Sequence, residues 1–125
     1  MEKTIVSTPL APGAIGPYSQ ATVGAGIVAV SGQLPIDPAT GKMGTSIVEQ
    51  TEQSMKNVIA ILEASGSCKE KILKCCLFIR NMGDFEQINK VYATFFENDP
   101  PARLVVEVSR LPKDADIEID ALAIL

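Results

Sequence analysis

Strand-forming runs outnumber the helices that could cover them, and several of these runs are apolar on both faces. The stretch "ILKCCLFI" at 72–79 is one. In "RLVVEV", Leu104, Val106 and Val108 lie opposite Val105. In the closing run, Ile117, Ile119, Ala121 and Ala123 lie opposite Leu122 and Ile124. Successive strand residues point to opposite faces, so a sheet built from these runs is apolar above and below. Only two stretches carry helical periodicity, and two helices cover one face of a sheet of five or six strands. The expectation is an α+β fold: a single mixed sheet, two helices on one face, and the other face covered by further copies of the chain.

Local signals set the order of elements. Thr4–Thr8 is strand-like and stops at Pro9, and "APGAIGPYSQA" is a loop with fixed turns. Ile27–Ser31 reads as a short buried strand ended by Gly32 and Pro35, and "DPATGKMG" as a turn region. Ser46 followed by Glu49 forms a capping box ahead of Thr51, Met55, Val58, Ile59 and Leu62, with Gly66 as the stop. After the strand Ile72–Arg80, Asp84 and Gln87 are expected to cap a second helix. Its stripe is Ile88, Val91, Tyr92, Phe95 and Phe96, and Pro100 and Pro101 end it. Two strands, Leu104–Val108 and Ile117–Leu125, close the chain. The order is β-β-α-β-α-β-β, with room for one more strand near the N-terminus. Residues 1–125 form one domain.

Composition removes whole classes of chemistry. With no histidine, the Ser-His-Asp and Cys-His schemes and every histidine metal site are excluded, and no metal is expected. A net charge of −4, with only Lys69, Lys71 and Lys74 grouped, argues against a nucleic-acid partner. No apolar stretch approaches the length of a membrane span. Three cysteines without CxxC spacing read as reduced thiols, with Cys75 and Cys76 on opposite faces. Without a basic leader the expected location is cytoplasmic. The glycines of "GAGIVA" precede a strand rather than a helix, so they are no dinucleotide fingerprint. Lys113–Asp116 reads as a charged turn and nothing more.

The charges beside the closing strands are the candidates for function. By alternation Arg103 shares a face with Val105 and Glu107, and Glu118 with Asp120, Leu122 and Ile124. Both sets are expected on the face away from the helices, and "SRLPKDAD" is expected to join two adjacent strands as a hairpin. An arginine fork there suits a carboxylate, and a neighbouring glutamate suits the activation of water. An ordinary interfacial ion pair is the competing reading. Tyr18 follows a turn-setting Pro17, Ser31 and Gly32 end a strand where backbone can approach a ligand, and Asn89 lies on the second helix.

Four stretches in register, "IGPYSQA", "SGQLPIDPATG", "DFEQINKVYATFF" and "PARLVVEVSRLPKDADIEIDALA", resemble the reactive-intermediate deaminase family, RidA or YjgF, from about Ile5 to Ile124. The resemblance implies a chorismate-mutase-like fold and a homotrimer with a barrel-like centre and clefts between subunits. It also implies cofactor-free hydrolysis of 2-imino and 2-enamino acids, such as 2-iminobutanoate and 2-iminopropanoate, to 2-keto acids and ammonia. Carried over by motif, Arg103 would clamp the substrate carboxylate, Glu118 would hold the attacking water, and Tyr18 would line the cleft and shuttle a proton. Ser31, Gly32 and Asn89 would border the pocket. Val105 would stand in its wall where relatives often carry a small residue or cysteine, and Pro100 where they often carry an aromatic. The alternative is a non-catalytic trimer that binds small carboxylates and reports on metabolism.

Overall fold

The capping box starts the longer helix where the sequence places it. In a computed structural model, which describes residues 2–125, Ser46 Oγ accepts the Glu49 N–H (3.1 Å) and donates to the Glu49 carboxylate (3.0 Å). Helix α1 runs over Ile47–Ala64. Past its C-cap, Gly66 takes φ 91°. The Gly66 and Ser67 N–H groups close back onto the carbonyls of Glu63 (3.1 Å) and Leu62 (2.9 Å). That pairing satisfies the last carbonyls and favours glycine at the left-handed position.

The second helix, α2 (Phe85–Ala93), is capped differently from the expectation. Asp84 already has helical backbone (φ −85°, ψ −3°) and makes no capping bond. A cap needs extended backbone, and Asn81 has it (φ −141°, ψ 112°). Asn81 accepts the Gly83 N–H (2.8 Å) and opens a 3-10 turn over Met82–Asp84 that feeds α2. The helix also ends at Ala93, well short of Pro100 and Pro101.

Among the described residues six strands form one sheet: β1 (Thr4–Val6), β2 (Ala21–Gly24), β3 (Ile27–Gln33), β4 (Ile72–Ile79), β5 (Ala102–Glu107) and β6 (Ile117–Ile124), in the order β1-β2-β3-β6-β4-β5. The extra strand is β2. It turns into β3 through Ala25 and Gly26, both at positive φ (52° and 75°), as a tight two-residue hairpin requires. Only β4 and β5 are parallel, joined through α2 as a crossover unit. Met55, Val58, Ile61 and Leu62 of α1 are fully buried with Val28, Leu77, Ile79, Ile117 and Ile119 of the sheet.

Two expectations about the closing strands are corrected. They do not form a hairpin, because β4 lies between them. The link crosses the end of β4, where Val108 N–H bonds to Ile79 and Arg80 N–H to Asp116. It spans about two strand spacings, roughly 9.6 Å. A strand apolar on both sides, as β4 is, gains more as an interior strand than at an edge.

Arg103 also lies on the other face from that expected. It pairs in register with Cys75, Val105 with Leu77, and Glu107 with Ile79. Cys75, Leu77 and Ile79 are all fully buried in the core beneath the helices, so Arg103, Val105 and Glu107 share that side. Glu118 pairs with Phe78 on the opposite face, as expected.

Away from Glu118 and Asp120 the uncovered face is largely apolar. Ile5, Ile27, Leu104, Leu122 and Ile124 all sit on it, 40% to 63% exposed. Among the described residues no helix is long and apolar enough to cross a membrane.

Candidate functional site

The candidate residues gather in two separate places. One is a cavity of about 560 Å³ with Glu118, Gly32, Ser31, Tyr18, Gln20 and Lys113 in its walls. It forms where β3 departs from regular pairing with β6, between Val30 and Gln33. Such irregularities re-aim side chains at the ends of strands. Ser31 Oγ donates to the Ser19 carbonyl (2.6 Å) and its N–H to the Gln20 carbonyl (2.9 Å), which fastens the strand to the preceding loop.

Gly32 is required for space rather than for φ. A Cβ there would stand 2.9 Å from Glu118 Cδ and closer still to Oε1. The Glu118 carboxylate therefore lies across bare backbone. Burial, and next the charge of Asp120, push its carboxyl above the usual glutamate range. It pairs with no lysine or arginine among the described residues.

The loop opposite is organised by a residue that alternation does not single out. Gln20 is 3% exposed. Its Oε1 accepts the Thr8 N–H, and its Nε2 faces the carbonyls of Thr8 (3.0 Å), Ala11 (3.3 Å) and Pro12 (2.8 Å). One amide thereby satisfies the backbone of a turn that has no ladder of its own. Tyr18 is half exposed, and its hydroxyl accepts the Ile15 N–H (3.2 Å). Gln20 stands inside the "GPYSQA" motif, so its position is visible in the sequence although its contacts are not.

The second place is a cavity of about 360 Å³ between α2 and the head of β5, lined by Arg103, Asn89, Tyr92, Phe96, Pro100 and Pro101. Arg103 Nη1 donates to Asn89 Oδ1 (2.8 Å). Its Cζ stands 5.0 Å from the Tyr92 ring centre and 5.7 Å from that of Phe85. A guanidinium is stabilised by such rings. No carboxylate pairs with it among the described residues. A partly buried cation oriented by an amide and two rings, with donors to spare, is suited to receive an anion.

Beneath it, burial and then the neighbouring Cys75 push the Tyr92 phenol far above its ordinary value, and burial pushes the Cys75 thiol up to about 11. Both are neutral near pH 7 and leave Arg103 the local charge. Val105 packs against the core and lines neither cavity.

Arg103 and Glu118 thus lie on opposite faces of one sheet. They also start strands that run in opposite directions, so they stand near opposite ends of it. Among the described residues no cluster of Cys, Asp or Glu could hold a metal ion.

A model of the family described as endoribonuclease L-PSP matches residues 8–125. The chain is 45% identical over 127 residues to the 2-iminobutanoate/2-iminopropanoate deaminase of Salmonella typhimurium, covering 99% of this chain and 98% of that one. Other relatives are named only as RutC family proteins. The crystal structure of a Yersinia pestis protein of unknown function from the conserved Rid family superposes with a TM-score of 0.97 at 45% identity, covering 99% and 100% of the two chains. That of Escherichia coli TdcF with bound serine superposes at 0.95 and 42% identity, covering 98% of each.

Proposed function

This chain belongs to the YjgF/RidA family, and on that premise we propose that it hydrolyses 2-imino and 2-enamino acids, among them 2-iminobutanoate and 2-iminopropanoate, to 2-keto acids and ammonia. The observation that carries the reading is the half-buried Arg103, oriented by Asn89 and two rings and without an acidic partner among the described residues. A 2-imino acid supplies the missing carboxylate. Each charge-assisted hydrogen bond to it contributes about 1.5–3 kcal/mol where water is restricted. The deaminase from Salmonella supports this reaction class by its name, and TdcF, which binds serine, supports a small amino-acid-like ligand.

The chemistry asks little of the protein. The iminium carbon is electrophilic, so the site has to position substrate and water and to move protons. Arg103 holds the carboxylate. The ionised Glu118 takes a proton from water as its oxygen bonds to the iminium carbon, giving a carbinolamine. Proton return to nitrogen, with Tyr18 lining the path, lets the C–N bond break. Ammonia leaves, and the hydroxyl proton is lost as the ketone forms. No cofactor enters this scheme.

Because Arg103 and Glu118 lie on opposite faces of one chain, the complete site combines Arg103, Asn89 and Tyr92 of one copy with Glu118, Gly32, Ser31 and Tyr18 of another. The exposed apolar face supports such an assembly, which we take to be a homotrimer. The absence of histidine and the net charge of −4 weigh against RNA as the substrate. Three free cysteines fit a cytoplasmic setting.

The test generates imine with a threonine dehydratase in the presence of semicarbazide, which competes for it. Wild type diverts imine to keto acid, whereas Arg103→Ala and Glu118→Ala do not. Mixed assemblies of the two inactive variants regain about a quarter of wild-type activity, because one pairing of copies restores an intact site. Wild type that binds 2-keto acids yet diverts no imine would leave carboxylate binding without catalysis.

A further inference from the structure

Lys113 is exposed on a charged turn, as the sequence presents it, and it also lines the Glu118 cavity. Among the described residues it is the one cation in a lining that mixes apolar Pro12, Ile15, Leu34 and Ile36 with polar Gln20, Gln33 and Glu118. Its backbone is unfavourable. Lys113 (φ 57°, ψ 21°) and Asp114 (φ 55°) are consecutive left-handed residues, and neither is glycine.

Such geometry persists only where its surroundings over-determine it, and here they do. Arg110 Nε and Nη2 reach the Asp114 carboxylate at 2.8 and 3.4 Å. Leu111 and Ala115 are buried on either side. The Asp114 and Ala115 N–H groups bond to the carbonyls of Leu111 (3.1 Å) and Pro112 (3.3 Å). Asp116 N–H is fixed by the buried Gln50 (2.9 Å), which is itself tied to the Gly44 carbonyl (2.9 Å). The loop presents an ammonium with no ion-pair partner among the described residues.

We propose that Lys113 is a specificity-determining residue that receives a second acidic group on the substrate's side chain, so that the site favours 2-imino dicarboxylic acids over their apolar counterparts. The inference rests on the deaminase reading and extends it to substrate class. Arg103 takes the α-carboxylate, and Glu118 serves the reacting carbon. The cavity of about 560 Å³ on this chain forms one wall of the shared site, and Lys113 and Glu118 both line it. In a wall of mixed polar and apolar residues, Lys113 rewards a side chain that ends in a carboxylate and is left unpaired beside one that does not.

The experiment compares 2-iminosuccinate, made by an aspartate oxidase, with 2-iminopropanoate, made by an oxidase acting on alanine, each trapped competitively by semicarbazide. Wild type is expected to show the higher kcat/KM for 2-iminosuccinate. Lys113→Asn, a neutral residue that tolerates left-handed backbone, lowers the ratio of the two kcat/KM values about tenfold, and Lys113→Glu lowers it further. Added salt raises KM for 2-iminosuccinate more than for 2-iminopropanoate. A ratio that does not move in either variant, or a wild type that prefers 2-iminopropanoate, overturns the assignment while leaving the deaminase reading intact. A wild type inactive on both imines ends both.

Discussion

At the scale of single residues, Gly32 and Glu118 form the most tightly specified pair in the larger cavity. The group that a Cβ at position 32 would meet is the end of a flexible side chain, not backbone. Gly32→Ala is therefore expected to leave thermal stability nearly unchanged while lowering kcat at least tenfold by displacing the carboxylate. Paired melting and steady-state measurements check this, and a large loss of stability would contradict it. Glu118 itself is held, by burial first and by Asp120 second, above the ordinary value of 4.5. A folded-state value above the unfolded one means that the native protein binds the proton more tightly. That contribution to stability is present at low pH and is lost as pH rises through the folded value. Glu118→Gln, fixed in the neutral form, should accordingly raise Tm near neutral pH, with the gain shrinking as pH falls toward 4.5. Activity should follow the reverse course, needing the ionised carboxylate, and Asp120→Asn should move its acid limb to lower pH.

At the scale of elements, the caps and the loop fastenings decide where side chains arrive. Removing the Ser46 hydroxyl deprives the Glu49 N–H of its acceptor. Ser46→Ala is expected to cost about 1 kcal/mol in urea unfolding, with no change in the slope. Its effect on turnover should be small, because α1 lines neither of the two cavities. The second helix behaves differently, since Phe85, Asn89 and Tyr92 all point at Arg103. Its true start is set by Asn81 through a 3-10 turn, and the sequence hides this because Asp84 is an equally good capping residue by type. Backbone conformation, not residue identity, chooses between them. The strained turn at Lys113 escapes sequence reading for a similar reason. Lysine is not a residue that signals left-handed backbone; tertiary contacts hold it there, among them the burial of Leu111 and Ala115 and the Gln50 bond to Asp116.

At the scale of the whole molecule, one face of the sheet is covered by helices and the other offers Ile5, Ile27, Leu104, Leu122 and Ile124 to solvent. Leu122→Arg, in the middle of that surface, is expected to yield smaller species in light scattering and to lose imine hydrolysis, with near-native helix content by circular dichroism. An unchanged mass would count against this face as the contact between copies. Retained activity in dissociated protein would count against a site shared between them.

What the sequence by itself determined is the layered plan. Period-2 alternation places Ile117, Ile119, Ala121 and Ala123 beneath the helices, and period 3.6 gives α1 its buried stripe, because both signals depend only on local geometry. The motifs likewise mark Arg103, Glu118, Tyr18, Ser31, Gly32 and Asn89 as the residues to examine. Tertiary structure alone decided which strands are neighbours. Alternation tells which residues share a face within a strand, but it cannot say which face of one strand aligns with which face of the next. With β4 seated between β5 and β6, that choice put Arg103 under α2 and Glu118 on the far side of the sheet. The cause is non-local: burying both faces of β4 favours an interior position over the hairpin that proximity in sequence suggests.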